Sequence, residues 1–288
     1  MEQACADVYS TMDKQRVVNN SDSKASANSL YERFHAKRRR RHAPSMERDF
    51  VYRDTCARLK PLLRPGMRVV DFGCGSGALA CYCAMKGCEV AGYDISAAAV
   101  ALARESAKRF GFANLEVFEA DAANANLHGQ ADLAICSEVI EHLPNDRLFL
   151  ANVFDSLDRE GLLYLSAPSN DAPMHRMFMR FRGRDAFDEK VGHLRRYSDA
   201  QIKEMLEDAG FEILSMDRRE GILRNFLFTT RPGRFIKIFI RGYLIAAAEA
   251  LDKATWPFYG TSDIVAVARK RGPNSYFTRA GEAPGEAH

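Results

Sequence analysis

Short apolar runs alternate with helical patterns through the middle of the chain, and this alternation constrains the fold more than any other feature. Strand-like runs occupy residues 67–72, 88–93, 115–119, 131–136, 161–167, 211–216 and 264–268. Helical patterns lie between them at 78–85, 97–110, 145–157 and 198–209, the last closed by Gly210 as a C-cap. Strands joined by helices of this length form right-handed crossovers. The sequence therefore predicts the α/β class, with a doubly wound, mostly parallel sheet of seven strands.

The chain is long enough for one elaborated domain. It has 288 residues, of which 47% are hydrophobic. The main domain is predicted at 61–271, with N-terminal helices at 29–60 and an inserted helical lid at 221–260. Residues 1–28 and 272–288 are polar and lack a sustained hydrophobic period, so we expect both to be disordered tails.

The charge balance and the cysteines limit which binding partners and which cellular compartment we expect for this protein. The 41 Lys and Arg nearly balance the 38 Asp and Glu, and the net charge is +3. We interpret the basic run at 37–41 (KRRRR) as a solvated face, and we do not expect a nucleic-acid partner. Seven cysteines without a CxxC pair indicate reduced thiols in a cytoplasmic protein.

The insertion at 221–260 contains an amphipathic helical pattern. Arg234, Lys237 and Arg241 fall on one helical face and apolar residues fall on the other. Such a helix either lies in a lipid interface or covers an apolar substrate. No apolar run reaches the length that spans a bilayer, so any membrane contact would be peripheral.

A glycine-rich turn stands where the first strand meets the first helix. Residues 71–77 read DFGCGSG, and glycine there lets the backbone approach a ligand closely. Asp94 ends the second strand, where a carboxylate accepts the two hydroxyls of a ribose. The pair indicates an adenosine-containing cofactor. Gly73, Gly75 and Ala78 also fit the dinucleotide fingerprint of a nicotinamide enzyme, so the glycines alone leave that class open.

Three further signals resolve this ambiguity. An acid precedes the first glycine by two residues, Gly77 adds a third glycine, and Asp121-Ala122 follows the third strand. Over residues 68–268 the chain resembles class I S-adenosylmethionine-dependent methyltransferases, which have a Rossmann-like fold. The resemblance implies that the glycine loop contacts the methionine portion of the cofactor and Asp71 its ammonium group. It also implies that Asp94 binds ribose and that the adenine meets Ile95, Asp121 and Ala122.

A second motif follows the fourth strand. Glu138, Glu141 and His142 have i, i+3, i+4 spacing, which places them on one side if the turn is helical. His193 belongs to a GHLRRY sequence just before the helix at 198–209. Carboxylates and imidazoles at the carboxyl edge of the sheet would hold Mg²⁺ or Zn²⁺ and leave room for a substrate oxygen. Without a metal, Glu138 and His142 line the cofactor pocket, and His193 or His142 is the candidate general base.

This combination resembles the ubiquinone-biosynthesis O-methyltransferases. The resemblance implies methyl transfer to a hydroxyl oxygen of an apolar or lipid-linked small molecule, with Glu141, His142 and His193 in catalytic roles. It also implies that Ser137 lies beside the cofactor and that the segment before His193 touches lipid. A related motif occurs in small-RNA 2′-O-methyltransferases, in which four such ligands hold Mg²⁺. This motif leaves an RNA ribose methyltransferase as one alternative. A second alternative is a protein that binds the cofactor without turnover and works in assembly.

Overall fold

The computed structural model describes residues 46–48, 51–121, 130–183, 185–236 and 243–271. The two predicted tails lie outside the described residues, as do the basic run at 37–41, the other residues of the predicted N-terminal helices up to 45, and Lys237 and Arg241 of the insertion. Ala122 also lies outside them.

One sheet of seven strands forms the centre of the described structure. The strands are β1 (Arg68–Phe72), β2 (Glu89–Asp94), β3 (Leu115–Glu119), β4 (Ala131–Ser137), β5 (Leu157–Pro168), β6 (Phe211–Arg219) and β7 (Asp263–Lys270). Their order is β3-β2-β1-β4-β5-β7-β6, and β7 alone runs antiparallel to its neighbours. The strand order reverses between β1 and β4, which is the topological switch point where such sheets bind ligands. The predicted fold class is confirmed.

Helices precede the sheet, cover it and extend from it. They are α1 (Arg53–Leu59), α2 (Ala78–Met85), α3 (Ala97–Phe110), α4 (Asp146–Ser156), α5 (Pro173–Arg182), α6 (Ala186–Val191), α7 (Asp199–Asp208), α8 (Ile222–Thr229), α9 (Arg231–Ile236) and α10 (Tyr243–Tyr259). Short 3₁₀ turns lie at Met46–Arg48, Lys60–Leu62 and Ile140–His142.

The apolar strand residues pack on both faces of the sheet. Val69 of β1 and Leu133 of β4 belong to the cluster formed with α2 and α3, whereas Val70 and Ala134 belong to the cluster formed with α4 and α7. Successive residues of a strand point to opposite faces, so a central strand such as β1 or β4 is apolar at most positions. This requirement explains the continuous apolar runs of the sequence.

Capping residues define both ends of helix α7. Ser198 caps α7 by accepting the N–H of Gln201, whose side chain accepts the N–H of Ser198 in return. The C-cap of α7 is Ala209, and the predicted cap Gly210 follows it with a φ of +94°.

Strands β4 to β7 are longer than predicted, and β5 and β6 show the reason. β5 starts at Leu157, which pairs with Ala131 before an irregularity shifts the register to Leu162 opposite Leu133. β6 continues to Arg219 because β7 offers partners as far as Asp263.

The carboxyl ends of the parallel strands share one edge with the insertion. Pro168 at the end of β5 pairs with Asp263, which in turn pairs with Arg219 at the end of β6. Helices α8 to α10 connect β6 to β7 and therefore leave from this edge. Helix α1 also reaches it, because Arg219 donates a hydrogen bond to the Thr55 hydroxyl.

Candidate active site

The glycine loop between β1 and α2 is tight. Gly73, Gly75 and Gly77 have φ values of +68°, +54° and +80°, which side chains disfavour. A Cβ on Gly73 would lie 2.6 Å from a methyl of Val139, and one on Gly77 would lie 2.7 Å from Cβ of Ala103. The loop therefore presents backbone at the switch point and has no space for side chains at these two positions.

Asp94 is held at the end of β2. Its carboxylate accepts the N–H of Gly75 at 2.8 Å and the N–H of Ser96 at 2.9 Å, one on each oxygen. Each oxygen retains a lone pair that can accept a ribose hydroxyl. The next residue, Ile95, leaves 36% of its surface exposed and offers an apolar contact beside that carboxylate.

Asp71 lies buried beneath the loop. The side chain is 2% exposed, and its Oδ2 has no hydrogen-bond partner within the described part of the chain. Burial, together with the neighbouring Asp94 charge, raises the pKa of Asp71 to about 8. A cationic group beside it would supply the missing counter-charge, which matches the ammonium of S-adenosylmethionine.

Asp121 follows β3 and is partly buried. The backbone N–H of Ala120 donates to the carbonyl of Asp94 at 3.0 Å, so this turn lies next to the end of β2. The glycine loop, Asp71, Asp94 and the turn at Asp121 thus meet at one edge, as binding of an adenosine cofactor requires. The residues present fit S-adenosylmethionine.

Ser137 and Glu138 belong to a hydrogen-bond network at the end of β4. The Ser137 and Ser166 hydroxyls lie 2.9 Å apart, and Ser166 donates to Glu138 Oε1 at 2.8 Å. Arg219 also donates to Glu138, at 3.2 Å. Glu138 has a φ of +57°, a left-handed conformation that is rare outside glycine and clusters at functional sites.

Three of the four predicted metal ligands come together, and Glu138 does not join them. The 3₁₀ turn begins only at Ile140, so the helical spacing assumed for Glu138 is absent and its carboxylate turns toward Arg219. Glu141 Oε1 lies 3.7 Å from His142 Nε2 and 3.8 Å from His193 Nε2. The predicted set is therefore corrected to Glu141, His142 and His193, which we call the Glu-His-His cluster.

The Glu-His-His cluster is buried and short of hydrogen-bond partners. Glu141 is 0% exposed, and neither of its oxygens has a hydrogen-bond partner among the described residues. Burial raises the pKa of Glu141 well above its usual value. Burial and the neighbouring His193 lower the pKa of His142 to about 4, so His142 is neutral at pH 7. An unpartnered buried carboxylate facing imidazole nitrogens fits the donor set of a divalent cation.

Neighbouring groups fix both imidazole rings. His142 Nδ1 lies 3.0 Å from the carbonyl of Gly192, which can only accept, so this nitrogen carries the hydrogen. His193 Nδ1 lies 2.9 Å from Asp188. Although burial opposes it, hydrogen bonds from His193 and Arg196 hold the pKa of Asp188 well below its usual range. Both Nε2 atoms therefore face Glu141, the arrangement in which carboxylates and carbonyls orient metal-binding or catalytic histidines.

Sequence reasoning did not identify these supporting residues. Asp188 precedes His193 by five residues, and Arg196 donates to both of its carboxylate oxygens, at 2.8 and 2.6 Å. The GHLRRY sequence shows Arg195 and Arg196 after His193, but it does not show the acidic partner of Arg196. The sequence does contain a usable signal, because an acidic residue precedes the histidine by a few residues and an arginine follows it closely.

The fold and this site define an S-adenosylmethionine-dependent methyltransferase of class I. A family model described as a methyltransferase domain matches residues 39–216, more than half of the chain, and the chain belongs to that family. The predicted class and its cofactor are confirmed. Among the described helices, none has the length and hydrophobicity to traverse a lipid bilayer.

Individual relatives differ in their acceptors. A ribosomal protein L11 methyltransferase of Caldanaerobacter subterraneus is 35% identical over 106 residues, which cover 33% of this chain and 34% of that protein. A ubiquinone biosynthesis O-methyltransferase of Azoarcus is 37% identical over 81 residues, covering 28% and 35%. The chain thus matches about a third of the length of these curated relatives. A putative methyltransferase from Bacillus halodurans has the same fold, with a TM-score of 0.55 at 20% identity, covering 75% of this chain and 99% of that one.

Proposed function

We propose that this protein transfers the methyl group of S-adenosylmethionine to a hydroxyl oxygen of an apolar or lipid-linked small molecule. The observation that carries the proposal is the Glu-His-His cluster beside the cofactor loop. Val139 packs against Gly73 of that loop, and the turn that bears Glu141 and His142 follows Val139 directly. The cluster that would accept the proton of the substrate therefore lies next to the glycine loop that would bind the methyl donor.

The cofactor supplies an electrophilic methyl on a positively charged sulfur, and the chain supplies position and a proton acceptor. The glycine loop and Asp94 orient the donor, and positioning accounts for much of the acceleration in such a displacement. A phenol loses its proton near pH 10, well above working pH. His193 Nε2 accepts that proton, while Asp188 on the opposite ring nitrogen stabilises the resulting cation.

In a second, metal-dependent version of the proposal, the same three side chains would hold a divalent cation, and the lone pair of His193 Nε2 would bind the ion rather than the proton. Glu141, His142 and His193 offer one oxygen and two nitrogens within 4.8 Å of one another. When bound there, such an ion would supply a Lewis acid that lowers the pKa of a substrate hydroxyl. Glu141 then binds as a carboxylate, which removes the cost of burying it without a partner.

The apolar character of the acceptor rests on α5, which precedes His193 in the chain. Met177, Met179 and Phe181 of this helix leave 40%, 44% and 76% of their surfaces exposed. His175 of the same helix binds Asp185 at 3.0 Å, which ties α5 to the segment that carries Asp188 and His193. The Azoarcus relative is likewise described as acting in ubiquinone biosynthesis.

Isotope transfer to an undefined acceptor mixture tests this proposal. Purified protein is incubated with S-adenosylmethionine labelled in the methyl group and with a cell extract, and the lipid, RNA and protein fractions are analysed by mass spectrometry. We expect label in the lipid fraction, on oxygen, and its loss in Glu141→Gln. Glu189→Gln changes an exposed carboxylate of α6 outside the cluster and should retain activity.

The other outcomes contradict the proposal in distinct ways. Label confined to RNA would assign the protein to ribose methylation, and label confined to protein would assign it to protein methylation. The absence of label in every fraction would favour an assembly role without turnover. Full activity with a strong chelator present would refute the metal-dependent version alone.

A further inference from the structure

Helix α10 exposes a continuous apolar face. Leu244, Leu251 and Phe258 leave 58%, 60% and 79% of their surfaces exposed and follow one another at seven-residue intervals. Ala247 and Ala254 lie between them and are also exposed. Residues spaced by three, four and seven share one side of a helix. We call these five residues the α10 apolar face.

The opposite side of α10 anchors the helix to the domain. Ile245 is 7% exposed and packs in a cluster with Leu227 of α8. Asp252 accepts the N–H of Gly221 at 2.6 Å and the N–H of Arg224 at 2.9 Å. Rolling the apolar face inward would break these buried hydrogen bonds, so the orientation of α10 is fixed.

The charged residues of α10 avoid its apolar face. Glu249 pairs with Arg53 at 3.2 Å, Asp252 is buried, and Lys253 is exposed next to Asp252 rather than along the apolar face. The face extends over fourteen residue steps, which corresponds to about 20 Å of helix. An uncharged apolar surface of this length on a soluble domain marks a place where something binds.

The charges around this face favour an anionic partner. The neighbouring helix α5 has exposed Arg176 and Arg180, and Arg176 donates to the carbonyl of Tyr259 at the end of α10. Two copies joined symmetrically through α10 would bring Arg176 and Arg180 of both copies to one interface, which costs free energy. An anionic surface instead complements them.

We infer that the α10 apolar face docks on a bilayer that contains anionic lipids. Leu244, Leu251 and Phe258 enter the boundary between headgroups and acyl chains, and Arg176 and Arg180 of α5 meet the lipid phosphates. The inference goes beyond methyl transfer and does not depend on it, because binding to vesicles is measured without cofactor. If both hold, an apolar acceptor reaches the site from the membrane.

Vesicle cosedimentation of the whole chain tests the inference. Vesicles of phosphatidylcholine alone are compared with vesicles in which about 30% of the lipid is phosphatidylglycerol, an anionic fraction sufficient to attract basic segments. We expect binding to the anionic vesicles that weakens as salt is raised. The combined variant Leu244→Gln, Leu251→Gln and Phe258→Gln should bind at least about tenfold more weakly, because three apolar side chains no longer enter the lipid.

A matched control distinguishes binding through the α10 apolar face from non-specific binding of exposed apolar residues. Leu214 of β6 is 42% exposed and lies outside the insertion, so Leu214→Gln should bind vesicles as the wild type does. All four substituted side chains are exposed, and circular dichroism should show unchanged folding. Equal binding by the triple variant and the wild type would overturn the inference, as would no wild-type binding to anionic vesicles. A wild-type dimer that the triple variant converts to monomer, without vesicle binding, would assign the face to a second copy instead.

Discussion

Replacing Asp71 with asparagine should change how stability depends on pH. In the cofactor-free protein the pKa of Asp71 is raised from 3.8 to about 8 because the carboxyl is buried without a counter-charge. Below pH 3.8 the side chain is protonated in both the folded and the unfolded chain, and it contributes no pH dependence. As pH rises the unfolded chain loses this proton first, so stability falls until the folded pKa is reached.

The size of the effect follows from the same shift. One proton of difference changes the free energy of unfolding by about 1.4 kcal/mol per pH unit. Over about four units the loss reaches about 6 kcal/mol. Asp71→Asn does not titrate, so relative to the wild type it should become more stable by about 1.4 kcal/mol for each unit of increasing pH.

Urea denaturation at pH 5, 6, 7 and 8 measures this difference, with no cofactor added. Asp132→Asn is the matched control, because hydrogen bonds from Arg68 outweigh burial and lower the pKa of Asp132, so it does not titrate above pH 5. The control should parallel the wild type, with a constant offset. Parallel profiles for Asp71→Asn and the wild type would refute the description of Asp71 as a buried, uncompensated acid.

Two further substitutions test the loop and the cluster. Gly73→Ala should lower the free energy of unfolding by at least about 2 kcal/mol, since its φ of +68° and its approach to Val139 both disfavour a Cβ; denaturation that matches the wild type would contradict this. Asp188→Asn should lower kcat about tenfold or more, shift its pH profile and leave the KM for S-adenosylmethionine unchanged, because it removes the partner that orients His193. A changed KM with an unchanged kcat would show that Asp188 does not act through that ring.

Local sequence patterns predicted the central strands well because these strands are buried on both faces. The runs at β1 and β4 need no tertiary information, since burial on two sides favours apolar residues at most positions, whereas the edge strand β3 alternates buried and exposed residues. The start of β5 was missed because Asp158 and Glu160 are charged and Gly161 follows a left-handed residue, a pattern typical of a turn. Pairing with β4 overrides that preference.

The site was predictable only where its residues are close in the chain. Glu141 and His142 are adjacent, so their spacing was informative. Glu138 was assigned to the same set because a left-handed backbone at one position cannot be inferred from spacing. Its actual partner, Arg219, lies 81 residues away at the end of β6, and only the folded sheet brings the two together.

The most direct test of the account is calorimetric titration of S-adenosylmethionine into the wild type and into Asp94→Ala. The carboxylate of Asp94 is fixed by the glycine loop and has lone pairs free for a ribose. We expect saturable binding to the wild type, with affinity at least tenfold lower in the variant, because hydrogen bonds to a charged group contribute about 1.4 kcal/mol or more. Equal affinity for the two proteins, or no binding to the wild type, would contradict it.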